Sequence, residues 1–227
     1  MITQLLIPAA GLGKRLGMST PKALVKLCGR SLVARTLDRL LAVDFVDPII
    51  MLIPPGFENA FKDALSDIPS TIQYIEGGAE RRDSVARGLA ALNTDTEMVV
   101  IHDAARPFPA ARSVCAAIES ASRHGAATLA TPAIDTILIE DGAGFLQSTP
   151  DRSMVWACQT PQVFQVEVIR RAYKDVVNAD AACTDDATMV QRIGCPVKLI
   201  DGGAMNFKIT TKRELAFATY LLENSLA

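Results

Sequence analysis

The sequence predicts an α/β fold, a three-layer sandwich around a mostly parallel, twisted sheet, with a protruding β-hairpin arm. Three observations predict it. Short apolar runs of strand character alternate with amphipathic helical stretches along the chain, the pattern of a parallel sheet covered on both faces. Polar, glycine-bearing clusters follow several of these runs, where parallel sheets gather ligands. One segment breaks the rhythm with two half-apolar runs around a glycine-rich turn.

The expected strands are Gln4–Pro8, Ile49–Ile53, Ile72–Ile75, Met98–His102, Ala127–Ala130 and Val197–Ile200. Between them lie SLVARTLDRLLAV, whose Val33, Leu37, Leu40 and Leu41 share one helical face, then RRDSVARGLAAL, ARSVCAAIESASRHG, VEVIRRAYKDVV and KRELAFATYLL. Thr211 and Glu214 have capping-box spacing. Thr184-Asp185-Asp186 reads as a cap followed by two acids that complement a helix dipole rather than bind metal. Asp135–Pro150, turning at Asp141-Gly142-Ala143-Gly144, is the hairpin. An isolated two-stranded ribbon is marginal in water, so an arm at about 136–152 is expected to be stabilised by a second copy of the chain in a homodimer. Residues 1–227 otherwise read as one domain.

Composition narrows the function. A hydrophobic share of 49% with 21% charged residues describes a folded chain. A net charge of −2 offers no general attraction to nucleic acid or an acidic membrane. Cysteines 28, 115, 158, 183 and 195 are scattered with no CxxC pair, against a disulfide framework or zinc site. The start lacks basic residues before its apolar patch, and no apolar stretch nears the ~18 residues of a membrane span. A cytoplasmic location is expected.

Four polar clusters fall on the predicted carboxyl rim of the sheet: Ala9–Gly17, Glu76–Ser84, His102–Pro107 and Asn206–Lys208. In the first, Gly11, Gly13 and Gly17 have one residue too many for a dinucleotide fingerprint, which excludes a dehydrogenase. Arg15 stands where a Walker A loop needs Ser or Thr. Two readings stay open for this loop: a glycine-rich turn with solvated cations, or a backbone cradle for a polyphosphate with charge from Arg15 and Lys22. Asp103, ending a buried strand, suits Mg²⁺ or a turn. Arg106 suits a phosphate monoester. His102 reads as a packed, hydrogen-bonded residue, His124 as a helix C-terminal partner, and Trp156 as core or hinge packing. With no Ser-His-Asp set and no activated cysteine, the chemistry that fits needs no strong base, such as attack by a phosphate oxygen on the α-phosphorus of a nucleoside triphosphate.

The blocks PAAGLGKRLG…PK, GG…ERRDSV, VVIHDAARPF, the DT before the hairpin, WACQTPQVF, CTDDA and NFKIT, in this order over residues 8 to about 210, resemble the 2-C-methyl-D-erythritol 4-phosphate cytidylyltransferases. The resemblance implies a Rossmann-like nucleotidyltransferase fold and Mg²⁺-dependent transfer of CMP from CTP to methylerythritol phosphate in non-mevalonate isoprenoid biosynthesis. It implies a catalytic set of Arg15, Lys22, Arg152 and Lys208. Ala9, Ala10, Gly11, Leu12, Gly13, Gly78 and Ser84 would hold the cytidine nucleotide. Asp103 would bind Mg²⁺, and Arg106, Thr136 and Arg152 the acceptor, the last two supplied by the other subunit's arm. Ala79 and Gly203-Ala204-Met205 lack acids that some relatives carry, leaving water to complete the metal's shell. Two alternatives remain at this point: a cytidylyltransferase for another polyol phosphate such as ribitol 5-phosphate, and a non-catalytic nucleotide-sensing module.

Overall fold

The structure, a computed structural model, describes residues 1–13, 17, 20–176 and 185–226. Its centre is a seven-stranded sheet whose strands come from almost the whole chain. Those strands are β1 (Thr3–Pro8), β4 (Ile49–Ile53), β5 (Ile72–Glu76), β6 (Met98–Ile101), β7 (Ala126–Pro132), β10 (Trp156–Gln165) and β11 (Val197–Asp201). Their order is β11-β7-β10-β6-β1-β4-β5. Every neighbouring pair is parallel except the two made by β10, which runs antiparallel to both β6 and β7. From β1 the chain moves outward to β4 and β5, then returns to β6 on the other side. The reversal opens a crevice at the carboxyl ends of β1 and β6.

Alternating side chains of the central strands feed two cores. On one face Leu5, Ile7, Met51 and Val100 pack with Val33, Leu37 and Leu40 of α1 (Leu32–Leu40), Phe61 of α2 (Glu58–Ala64) and Val114 and Ala117 of α4 (Ala111–His124). On the other, Leu6, Ile50, Leu52 and Val99 meet α3 (Arg81–Ala90), α5 (Val166–Val176) and α6 (Asp186–Arg192) through Val85, Ile169 and Val190. The strands are apolar on both sides because both sides are covered. A third cluster joins Ala218 and Leu221 of α7 (Lys212–Glu223) to Val25, Leu27, Phe108 and Ile209. It braces the segments that carry Lys22 and Lys208. No helix among the described residues is long and apolar enough to cross a membrane.

The caps repay the sequence patterns in two ways. Thr211 and Glu214 form the expected capping box on α7. At α6 the cap is Asp185, whose side chain accepts the Thr188 N–H at 2.8 Å, while Thr184 lies outside the described residues. Asp186 stands in the first turn of α6 as expected, but it is fully buried and is reached by Arg81 and Tyr173. His124 is the last residue of α4, and the four cysteines among the described residues are free thiols.

Strand β10 is absent from the sequence expectation, as are α2 and the two-residue strands β2 (Lys26–Leu27) and β3 (Arg30–Ser31). Pro161 in the middle of WACQTPQVFQ argues against a central strand. The chain admits it by shifting register between Cys158 and Gln162, so Gln159, Thr160 and Pro161 leave the β7 ladder as a bulge. Trp156 opens β10 opposite Pro132, half-buried at the root of the arm, which is the hinge placement rather than the core one.

The hairpin is a separate two-stranded sheet of β8 (Ile139–Glu140) and β9 (Leu146–Ser148), not an extension of the main one. Asp141 Oδ1 holds its turn by accepting the N–H groups of Ala143 and Phe145. Ile134, Leu138, Phe145, Leu146 and Met154 on and beside it are exposed.

Candidate active site

All four rim clusters line one cleft of about 270 Å³. After β1, the Ala9 N–H continues the ladder to the Leu52 carbonyl at 2.8 Å, so Ala9 supplies wall rather than a donor. Ala10, Gly11 and Leu12 follow along the cleft. A bridge between Leu12 and Pro21, with the Lys22 N–H on the Gly11 carbonyl at 3.0 Å, closes the loop at its base. Lys22 then opens a single 3-10 turn and lines the cleft. Arg15 lies outside the described residues, so its expected role is neither placed nor displaced.

The second wall is the turn from β5 into α3. A Cβ on Gly77 would stand 2.5 Å from Ala10 Cβ and 2.8 Å from Ser84 Oγ, and one on Gly78 would overlap Asp83. Only glycine permits this approach of the two loops. Ser84 Oγ accepts the Gly78 N–H at 3.0 Å and donates to the Glu80 carbonyl at 3.0 Å. Its hydroxyl therefore fixes the wall it helps to form.

Asp103 and Lys208 complete the cleft. Asp103 Oδ2 is 2.7 Å from Lys208 Nζ and 3.7 Å from Arg106 Nε, and Oδ1 is 3.5 Å from Arg81 Nε. Burial alone would raise the Asp103 pKa, but Lys208, Arg81 and Arg106 outweigh it and hold the carboxyl well below the usual range. Arg81 lines the cleft and reaches back to Asp186, Nη2 to Oδ2 2.8 Å. That Oδ2 is buried without a well-directed hydrogen bond, so the contact is one of charge. Tyr173 donates to Oδ1 at 2.6 Å. Burial works against the charge on Arg81, yet Asp186 and Asp103 raise its pKa.

Behind the cleft lies a polar scaffold. Arg106 donates Nη1 to the Asn206 carbonyl at 2.8 Å and Nη2 to the Cys158 carbonyl at 3.4 Å, tying β10 to the segment before Lys208. Asn206 donates to Gln159 Oε1 and to the Thr160 carbonyl. His102 is buried between the Arg106 carbonyl and the Thr160 hydroxyl, and burial lowers its pKa to about 4.

The structure thus brings together Ala9, Ala10, Gly11, Leu12, Lys22, Gly78, Ser84, Asp103 and Lys208. Gly13 is buried and Arg106 stands behind the wall; neither lines the cleft. Thr136 and Arg152 sit exposed on the arm, with Arg152 Nη1 on the Ile134 carbonyl at 3.1 Å.

A family model for 2-C-methyl-D-erythritol 4-phosphate cytidylyltransferase matches residues 3–224. The chain belongs to this family. A relative of that name from Desulforamulus reducens is 38% identical over 220 residues, covering 96% of this chain and 94% of its own. The crystal structure of 4-diphosphocytidyl-2C-methyl-D-erythritol synthase from Anaerococcus prevotii superposes with a TM-score of 0.87 at 31% identity, over 98% of both chains. That of 2-C-methyl-D-erythritol 4-phosphate cytidylyltransferase from Thermus thermophilus gives 0.81 at 34% identity, over 98% of this chain and all of the other, 100%. Family membership agrees with the cations Lys22, Arg81 and Lys208 that converge on the cleft.

Sequence reasoning missed Arg81 as a cleft residue. ERRDSV shows the arginine, but nothing in the spacing says that Arg81 turns inward, since its anchor, Asp186, comes from a distant helix. His102 is packed and hydrogen-bonded as expected, but the rest of its scaffold, Gln159, Thr160 and Asn206, was hidden because it depends on the β10 bulge.

Proposed function

We propose that the chain transfers CMP from CTP to 2-C-methyl-D-erythritol 4-phosphate, releasing pyrophosphate and forming 4-diphosphocytidyl-2-C-methyl-D-erythritol for isoprenoid biosynthesis. The observation that carries it is the convergence of Lys22, Arg81, Asp103 and Lys208 on one cleft at the sheet's switch point, in a chain of this family. A phosphate oxygen of the acceptor attacks the α-phosphorus of CTP. The new O–Pα bond forms as the bond from Pα to the α,β-bridging oxygen breaks, and pyrophosphate leaves with the electron pair on that oxygen. Lys22 and Lys208 balance the charge that builds on the α-phosphoryl oxygens, and the rigid walls keep attacking and leaving oxygens in line. Backbone groups of the wall made by Gly78 and Ser84, facing Ala10, would select cytosine over a purine by contacts to the pyrimidine edge.

The donor set fits a magnesium ion carried by the triphosphate. Among the described residues no group of three or more metal-binding side chains exists, and Asp103 offers a single ionised carboxylate. Mg²⁺ suits such a site because it keeps water and takes most oxygens from substrate phosphates. When bound, it would neutralise the leaving pyrophosphate and polarise the α-phosphorus. Asp103 would hold it, while Arg81 remains paired with Asp186.

The finer reading is a cytoplasmic, Mg²⁺-dependent homodimer in which Thr136 and Arg152 reach the acceptor in the other subunit's cleft. The exposed apolar side chains of the arm support it, as does the fact that neither Thr136 nor Arg152 lines the chain's own cleft. The test is pyrophosphate release from CTP and Mg²⁺ with methylerythritol phosphate, with ribitol 5-phosphate, and with neither. Release that depends on methylerythritol phosphate is expected. Preference for ribitol 5-phosphate would reassign the acceptor, and no release with any acceptor would point to a sensing module.

A further inference from the structure

His102 is wholly buried and lines no part of the cleft, yet it touches both parts of the scaffold behind it. Its Nε2 is 3.0 Å from the Arg106 carbonyl. A carbonyl only accepts, so Nε2 carries the proton and Nδ1 is the acceptor. Nδ1 lies 3.1 Å from Thr160 Oγ1, which must therefore donate to it. The same Oγ1 accepts the Asp103 N–H at 3.0 Å. Direction thus runs one way through the array, from the Asp103 amide to Thr160, to His102, to the Arg106 carbonyl. Within the turn, the Arg106 N–H closes back on the Asp103 carbonyl at 3.1 Å. The array binds three elements: the end of β6, the turn after it and the bulge of β10.

We propose that His102 is a positioning residue for the acceptor phosphate: its Nε2–H tautomer holds the Arg106 backbone so that the guanidinium meets the acceptor in one orientation. The backbone that His102 holds decides where the braced guanidinium stands. Its Nη groups already reach the Asn206 and Cys158 carbonyls, and Nε is buried without a hydrogen-bond partner. A shift of its backbone would carry the three N–H groups that these contacts leave over away from the acceptor. This inference rests on the proposed function, with Arg106 holding the acceptor as the family resemblance implies.

Two substitutions divide the array. Asn places an amide oxygen where Nδ1 stands and keeps the Thr160 contact, but leaves the Arg106 carbonyl without a donor. Gln places an amide N–H where Nε2 stands and keeps the Arg106 contact. With CTP and methylerythritol phosphate as substrates, His102→Asn is expected to raise the acceptor KM about tenfold or more, the weight of one buried hydrogen bond. The KM for CTP should stay within about twofold. His102→Gln should return the acceptor KM to within about threefold of the parent. Equal acceptor KM values for the two variants, an unchanged value for His102→Asn, or an equal rise in the KM for CTP would overturn the proposal. The wild-type protein supplies a reading that does not depend on either variant folding. Long-range ¹⁵N–¹H correlation at neutral pH should show His102 protonated at Nε2 and bare at Nδ1; the opposite tautomer or a doubly protonated ring would overturn it. Failure of the wild-type chain to release pyrophosphate with this acceptor would instead count against the proposed function.

Discussion

Lys208 Nζ meets Asp103 Oδ2 at 2.7 Å, an ammonium at the cleft surface against a carboxylate that is only 10% exposed. The pair joins the end of β6 to the segment before α7, and it leaves the carboxylate ionised where a metal and two phosphates are expected. Lys208→Met should lower kcat by ~10²–10³ in a pyrophosphate-release assay, and Asp103→Asn at least as far. The sign of the pH effect follows from the depressed pKa of Asp103. Its stabilisation is fully present above the ordinary value of 3.8 and is lost as pH falls through the lower folded value. Acid unfolding followed by circular dichroism should therefore show no Asp103-dependent loss between pH 7 and about 4.

Lys22 lines the same cleft from the opposite loop. Its charge matters most when negative charge concentrates on the α-phosphoryl group. Lys22→Ala should lower kcat far more than it raises the KM for CTP. A pure KM effect in steady-state kinetics would remove it from the catalytic set.

Gly77→Ala tests the wall. A methyl group there meets Ala10 Cβ and Ser84 Oγ inside contact distance, so the two loops must part. The KM for CTP should rise about tenfold, with a smaller effect on the acceptor KM, since overpacking displaces the nucleotide side of the cleft.

The capping box on α7 supports the site from below. Burial alone would raise the Glu214 pKa, but hydrogen bonds from Thr210 and Thr211 lower it to about 2. Its contribution is complete above the ordinary 4.5 and fades as pH falls from there toward about 2. The Tm difference between wild type and Glu214→Gln should be constant at neutral pH and shrink within that window. Thr211→Ala should cost about 1 kcal/mol in urea unfolding at pH 7.

If the arm serves the other subunit, two inactive variants should rescue each other. Lys22→Ala has a defective cleft and a good arm, and Arg152→Ala the reverse. Reassorted dimers should regain about a quarter of wild-type activity, one working site in each mixed dimer. No recovery after mixing would place Arg152 in its own subunit's cleft or outside the reaction.

What the sequence made legible was local. Apolar runs marked six of the seven sheet strands: β1, β4, β6 and most of β7 are apolar because they are buried on both faces, and the edge strands β5 and β11 keep enough apolar residues to be read. Glycine and charge at their ends marked the rim. The hairpin was readable because its turn chemistry is short-range. By contrast, β10 was hidden by Pro161, whose tolerance depends on a bulge between two neighbours distant in sequence. Asp186 was legible as a first-turn acid but not as the buried anchor of Arg81, which is brought to it only by the packing of α3 beside α5 and α6. Arg106 was legible as a cation but not as a brace, since the carbonyls it holds come from Cys158 and Asn206.

The central claim is attack by the acceptor's phosphate oxygen on the α-phosphorus of CTP. It is tested most directly with methylerythritol phosphate labelled with ¹⁸O in its phosphate, followed by ³¹P NMR of the products. The label should appear in the bridging oxygen of the diphosphate product, with none in pyrophosphate. Label in pyrophosphate, or an unlabelled bridge, would contradict it.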